Sequence, residues 1–237
     1  RRLSRGLGDV YKRQALRFPF KNKSLTEAEI LNLLSDADPE TRKIAGKSLS
    51  EVLENNKRIF GMILNVISRD RFIEDNKRGF KRIMSSRNLD NDVEDEVVDK
   101  LVNTVDKAMP KLTHRYYKWK ANQFGQTRLD WWDRNAPLPH SSETFIKWSE
   151  AKDIILDSFS SFHPEISNLA ELFFKNNWID ASLRKGKASG AFAHPSVPSL
   201  HPYILINYQG KIRDVMTLAH ELGHGVHQIL AGKNGLL

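Results

Sequence analysis

The 237-residue sequence contains no cysteine and no apolar run long enough to cross a membrane. The first absence excludes a disulfide framework, thiolate catalysis and any metal site built on cysteine, and it is consistent with a cytoplasmic location. The second excludes an integral membrane protein, because a spanning helix needs roughly 18 consecutive apolar residues. With 40% hydrophobic and 28% charged residues, the composition indicates a globular chain with a buried core.

The net charge of +8 is distributed unevenly along the chain. Half of it lies in the first fourteen residues, RRLSRGLGDVYKRQ, and no methionine precedes Met62. We therefore expect residues 1–14 to be a non-native, adaptor-like segment and the chain to be an internal fragment of a longer protein. In the remainder, acidic and basic residues are interleaved, which is typical of solvated helix surface and argues against a nucleic-acid partner.

Helical patterns dominate the first 175 residues. Ser24 to Glu27 has the form of a capping box, and apolar residues then recur at helical spacing as far as Ile67. A long helix is predicted from Val93 to Ala121, kinked or divided at Pro110. Two further helices are predicted at 143–161 and 165–175. Five aromatic side chains are expected to pack in helix cores: Phe159, Phe162, Phe173, Phe174 and Trp178.

The pattern changes after Trp178, where glycine and proline separate short extended runs. These runs predict two strands, Ala191–Ala193 and Tyr203–Tyr208, followed by a final helix. The expected fold is therefore mainly α, with a small β-sheet preceding that helix.

The final helix carries His220-Glu221-Leu222-Gly223-His224, an H-E-x-x-H motif. Histidines four residues apart lie one helical turn apart, so both imidazoles reach one zinc ion. The glutamate after the first histidine lies beside the metal, where it takes a proton from zinc-bound water. The motif predicts a zinc hydrolase with His220 and His224 as ligands and Glu221 as the general base.

The context of the motif strengthens this prediction. At about 100° per residue, His224 and His227 lie within about 40° of His220, whereas the apolar residues of the segment lie on the opposite face. Asp214 is the expected N-cap of the helix. The alternative is a polar surface face on which three histidines happen to lie.

A third zinc ligand is not evident. A longer zinc-protease pattern would require histidine at position 230, where the sequence has leucine, so His227 is predicted to support the site without binding the metal. His194 and His201 are upstream candidates, but each is followed by a proline and is readily explained as a turn or packing residue.

Residues 186–231 closely resemble the catalytic region of the oligoendopeptidase F family, a branch of the thimet-oligopeptidase-like zinc metallopeptidases. The stretch GAFAHPSVPSLHPYILINY and the segment HELGHGVHQ carry the resemblance. The segment from His114 to Pro139 resembles the region ahead of that core. Residues 25–67 resemble the end of the family's N-terminal helical domain. The resemblance implies the end of a helical domain at 15–68 and the first part of a zincin-like catalytic domain at 69–237.

The resemblance also implies a function: hydrolysis of internal bonds of short peptides in a deep channel, with one zinc ion per site. Gly190, Ala191 and Phe192 resemble the family's strand that pairs with the peptide backbone; alternatively, Gly190 is a turn glycine and Phe192 lies in the core. The family's third ligand, a downstream glutamate, would lie beyond Leu237, so the fragment itself is expected to be inactive. Alternatives are a related zinc carboxypeptidase and a catalytically silent peptide-binding module. The oligomeric state is not predicted.

Overall fold

A computed structural model describes residues 7–139 and 144–235, with side chains from residue 11 onward. The chain divides into two compact units. The first comprises Arg1–Leu25 and Glu29–Ser141, and the second comprises Thr26–Ala28 and Ser142–Leu237. Residues 1–6 of the expected adaptor-like segment lie outside the described residues.

The first unit is mostly helical. Its elements are α1 (Leu7–Ala15), β1 (Phe18–Phe20), β2 (Lys23–Leu25), most of α2 (Glu27–Leu33), α3 (Pro39–Lys77), α4 (Ser85–Asp90), α5 (Asp95–Ala108) and α6 (Arg115–Gln123). Pro110–His114 forms a π-helical turn between α5 and α6, and Trp131–Asp133 forms a 3-10 turn. The predicted division at Pro110 is confirmed, because proline provides no amide hydrogen for the helical ladder.

The capping box predicted at Ser24 is wrong. Ser24 lies in β2, paired antiparallel with Pro19 of β1, and α2 begins three residues later at Glu27. Because α2 begins at Glu27, its N-cap position is Thr26, and Ser24 lies two residues too early to cap the helix. The turn of the hairpin places Lys21 at a φ of 52°. The hairpin was not predicted from the sequence.

Helix α3 begins with the capping chemistry that its sequence favours. Asp38 accepts hydrogen bonds from the backbone amides of Glu40 and Thr41, and Pro39 occupies the first turn, where no partner for its nitrogen is needed. The predicted domain boundary between residues 68 and 69 lies inside this continuous helix. That domain assignment stays a prediction.

A buried ion pair joins α3 to the 3-10 turn in the first unit. The Arg42 Nε donates to Asp133 Oδ1 at 2.8 Å, and the two side chains are 1% and 4% exposed. The same guanidinium donates to the carbonyls of Asp36 and Ala37. Nearby, the Lys120 ammonium donates to the Arg134 carbonyl at 2.8 Å. Burial lowers the pKa of Lys120, and the positive charge of Arg42 acts in the same direction.

The second unit contains the helices α7 (Trp148–Phe162), α8 (Pro164–Lys175) and α9 (Ile212–Gly232). Its strands are β3 (Ile179–Asp180), β4 (Phe192–His194) and β5 (Tyr203–Leu205), in the order β3-β5-β4. Strand β5 is parallel to β3 and antiparallel to β4. The mainly helical fold with a small sheet ahead of the last helix is confirmed.

The core of this unit packs α7 and α8 against the apolar face of α9. Phe173, Leu218 and Leu222 are fully buried there. Phe162 was expected in the core, but it is 82% exposed at the end of α7, so this prediction is wrong. In the described residues, no helix is long and apolar enough to span a membrane.

Candidate metal centre and peptide-binding strand

An acidic residue in the first turn of helix α9 stabilises the start of the helix. Asp214 was expected at the N-cap, but the N-cap is Lys211 and Asp214 lies in the first turn. Its carboxylate accepts hydrogen bonds from the backbone amides of Gln209 and Lys211, at 2.9 and 3.0 Å. An acidic side chain three residues after the N-cap can reach back to free amides, which is why the predicted start was displaced by three residues.

The two long faces of α9 have opposite character. Leu218 and Leu222 are fully buried in the core, while His220, His224 and His227 are all exposed. The helix therefore packs on the second unit with its apolar face and presents its histidines on the other side.

The side chains of His220 and His224 approach each other closely on the exposed face of α9. Their Nε2 atoms lie 3.0 Å apart, with the two rings nearly perpendicular. Two nitrogens bound to one tetrahedral zinc, each at about 2.05 Å, would be separated by about 3.3 Å. The pair therefore fits two of the ligands of a zinc ion with little movement of either ring.

Glu221 lies between these histidines in sequence but is only 8% exposed. Its carboxylate accepts no hydrogen bond from any of the residues described. The lone pairs of this carboxylate are therefore not engaged by any described residue.

No third ligand joins the pair: within the described ranges, no group of three or more His, Asp or Glu side chains could hold a metal ion. His201 stacks on Trp178, with ring centroids 4.0 Å apart, and its Nδ1 lies 3.0 Å from the Pro202 carbonyl. His194 accepts a hydrogen bond from the Ser196 amide through Nδ1. Both have the turn and packing roles considered from the sequence.

Strand β4 has an open edge. The Ile204 amide donates to the Trp178 carbonyl on the β3 side, so the paired residue Ala193 directs its own N–H and C=O away from β5. Its N–H makes no hydrogen bond with a described residue. Its carbonyl accepts a hydrogen bond from the Gln228 side chain of α9 at 3.4 Å. Phe192 is 47% exposed, so its alternative placement in the core is wrong.

Two polar residues hold the segment ahead of β4 in place through hydrogen bonds to backbone carbonyls. Neither was predicted as a site residue. The Lys187 side chain is 1% exposed. Its ammonium donates to the carbonyls of Asp180, Ser182 and Ile206 and to the Asp180 carboxylate. The Asn207 side chain donates to the carbonyls of Ala188 and Gly190, both at 2.9 Å. For Asn207, the sequence offered one indication: it is a polar residue within the apolar run Tyr203–Tyr208.

Burial and hydrogen bonds shift the pKa values of three ionisable groups near Lys187 and Asn207. Hydrogen bonds from Arg184, and then from Lys187, hold the pKa of Asp180 below its usual value. Burial lowers the pKa of Lys187, with the Asp180 carboxylate opposing that effect. The Tyr208 hydroxyl donates to the Ile146 carbonyl at 2.8 Å, and burial raises its pKa.

Comparison with known proteins identifies the family. The model of peptidase family M3 matches residues 32–235, which is most of the chain. The chain belongs to peptidase family M3. The resemblance to oligoendopeptidase F is also confirmed: this chain is 27% identical to oligopeptidase PepF of Bacillus subtilis over 213 residues. It is 30% identical to an oligoendopeptidase F homolog of Borreliella burgdorferi.

These alignments cover 90% and 89% of this M3 chain but only 31% and 36% of the two relatives. The chain thus spans about a third of the length of the curated relatives it matches.

Solved structures confirm the fold. A crystal structure described as oligoendopeptidase F from Bacillus anthracis superposes with a TM-score of 0.84 at 20% identity, covering 97% of this chain and 43% of that one. A structure of PZ peptidase A with an inhibitor superposes equally well, at 19% identity, over 94% of this chain and 40% of that one.

Proposed function

We propose that this M3 chain carries the zinc-binding helix of an endopeptidase that hydrolyses internal bonds of oligopeptides. The observation that supports the proposal most directly is the convergence of the His220 and His224 Nε2 atoms to 3.0 Å on the exposed face of α9. Family membership supports a peptidase, and the names of the relatives support oligopeptide substrates. The absence of cysteine supports a cytoplasmic location.

His220 and His224 would hold the zinc ion through Nε2, and the remaining protein ligand would come from outside the described residues. Zinc, when bound, polarises the scissile carbonyl and acidifies water at its open position. His227 is exposed on the same face, where it would support the site without binding the metal.

Glu221 would act as the general base. Its carboxylate has no donor among the described side chains and amides, so it is free to take a proton from the attacking water. The same carboxyl would then pass that proton to the leaving amine, which allows the C–N bond to break.

The open edge of β4 would bind the substrate backbone. A peptide paired as a further strand with Ala193 would be held by main-chain hydrogen bonds, which tolerate many sequences. Gly190 precedes this edge at a φ of +86°, and a side chain is absent there, so the backbone of a ligand could approach closely.

The test is hydrolysis of a fluorogenic peptide blocked at both ends, using the chain in its full coding context. Glu221→Gln should lower kcat at least 100-fold while leaving zinc content unchanged, since general acid–base catalysis contributes about 10²–10⁴-fold. Cleavage restricted to peptides with a free C-terminus would instead indicate a carboxypeptidase. Full activity in the Glu221→Gln variant would contradict the assignment of the base.

A further inference from the structure

The second unit contains a cavity between the loop that follows β4 and the last turns of α9. Its volume is about 570 Å³, within the range of roughly 300–1,000 Å³ that is typical of ligand sites. Most of the lining is apolar and includes Leu172, Trp178, Val197, Leu200 and Ile229. No part of the proposed hydrolytic machinery lines this cavity.

The cavity adjoins the open edge of β4. Pro195 follows the strand directly and forms part of the cavity wall. Gln228 also lines the cavity, and its Nε2 atom reaches the outward-facing carbonyl of Ala193. Gln228 lies one helical turn after His224, so the cavity is next to the histidine pair along α9.

Only one of the two polar atoms of the Gln228 side-chain amide has a hydrogen-bond partner among the described residues. Its Nε2 donates to Ala193, whereas its Oε1 is buried and has no hydrogen-bond partner in the described parts of the chain. An unpaired buried carbonyl oxygen is unfavourable. The hydrogen bond to Ala193 therefore holds the Gln228 side chain where the cavity meets β4.

We propose that this cavity is a specificity subsite that receives one apolar side chain of a peptide whose backbone pairs with the open edge of β4. The inference rests on the proposed function, because it takes the peptide to be the substrate of that site. Side chains alternate across a strand, so only every second residue of the peptide can point into the cavity. The subsite therefore selects leucine-like over alanine-like residues at one position.

The probes are acetylated, amidated pentapeptides of alanine in which a single leucine is moved through the three central positions. Binding to the zinc-supplemented chain is measured by NMR titration. At one position, leucine should tighten binding about tenfold, as expected for burying most of a leucine side chain. At the other two positions the gain should be less than threefold.

Gly232 provides a matched pair of variants. A Cβ atom at Gly232 would lie 3.9 Å from the nearest atom, Cα of Pro198, so Gly232→Ala fits without displacement. Gly232→Leu extends into the cavity and should abolish the leucine preference, while Gly232→Ala keeps it. Leu200→Ala removes an exposed part of the wall and should weaken the leucine peptide alone, which provides a second test if Gly232→Leu misfolds.

The outcomes separate this inference from the proposed function. Equal binding of all peptides, or a leucine preference that survives both Gly232→Leu and Leu200→Ala, overturns the subsite even if Glu221-dependent hydrolysis is observed. A leucine preference that these variants remove supports the subsite even if no hydrolysis occurs, in which case only the proposed catalysis fails. Absence of all peptide binding overturns the subsite.

Discussion

Gly225, directly after His224, is a position at which adding one methyl group should strongly perturb the buried core. A Cβ there would lie 2.5 Å from Cζ and 2.9 Å from Cε1 of Phe173. The Phe173 ring is fully buried and is held edge-to-face by Trp178, with centroids 5.3 Å apart, so it has no free space to move into. Gly225→Ala must therefore displace α9 or α8.

The magnitude follows from two opposing terms. Overpacking a core costs about 1–3 kcal/mol. Replacing glycine by alanine in a helix interior contributes up to about 1 kcal/mol of stability. Gly223→Ala is the matched control, because Gly223 is on the same helix and its Cβ would meet nothing within 4 Å. The control isolates the propensity term, so the two variants should differ by about 1–3 kcal/mol, with Gly225→Ala the less stable.

Hydrogen exchange of the α9 amides measures the opening free energy of this segment in each variant. Equal opening free energies in Gly223→Ala and Gly225→Ala would refute the close approach of Phe173 to the helix. A double-mutant cycle adds a second check: Phe173→Leu should recover part of the loss in the Gly225→Ala background, with a coupling energy of at least about 0.5 kcal/mol.

Three further perturbations test the charged groups. Arg42→Met leaves Asp133 buried without its ion pair and should lower the unfolding free energy of the chain by about 3–5 kcal/mol in urea titrations; a loss below about 1 kcal/mol would contradict this. Lys187→Met should lower the unfolding free energy by about 2–3 kcal/mol and accelerate hydrogen exchange at residues 188–194. Unchanged exchange there would show that the Lys187 hydrogen bonds do not hold this segment. The lowered pKa of Asp180 contributes stability above its unfolded value of 3.8, which is lost as the pH falls through the lower folded value. Asp180→Asn should therefore flatten the acid limb of the stability curve, and an unaltered limb would show that another group causes it.

Periodicity predicted the helices well but did not predict which faces are covered. The apolar residues Val97, Leu101 and Val105 lie on one face of α5, yet each is more than half exposed. A hydrophobic stripe shows that a helix has a preferred face, but the partner of that face need not lie within the described residues. This chain spans only about a third of its relatives.

Local capping chemistry was less predictable than helix existence. Ser24 fits a helix cap in sequence, but pairing with Pro19 takes its backbone into a hairpin. Asp214 stabilises the start of α9 from three residues inside the helix. Both cases depend on the φ and ψ angles of a few residues, which tertiary contacts decide.

The candidate site was predicted in part. The H-E-x-x-H spacing alone indicates that His220 and His224 are neighbours on a helix, since that follows from helix geometry. The contacts of Lys187, Asn207 and Gln228 could not be predicted, because each depends on loops and strands that meet only after folding.

His220 and His224 are predicted to bind zinc together. Isothermal titration of the 237-residue chain with zinc should show one site, weaker than the roughly 10 kcal/mol of a complete structural site, because only two candidate ligands approach each other among the described residues. His220→Ala and His224→Ala should each abolish binding, and His227→Ala should leave it unchanged. Zinc binding that survives both His220→Ala and His224→Ala would contradict the account.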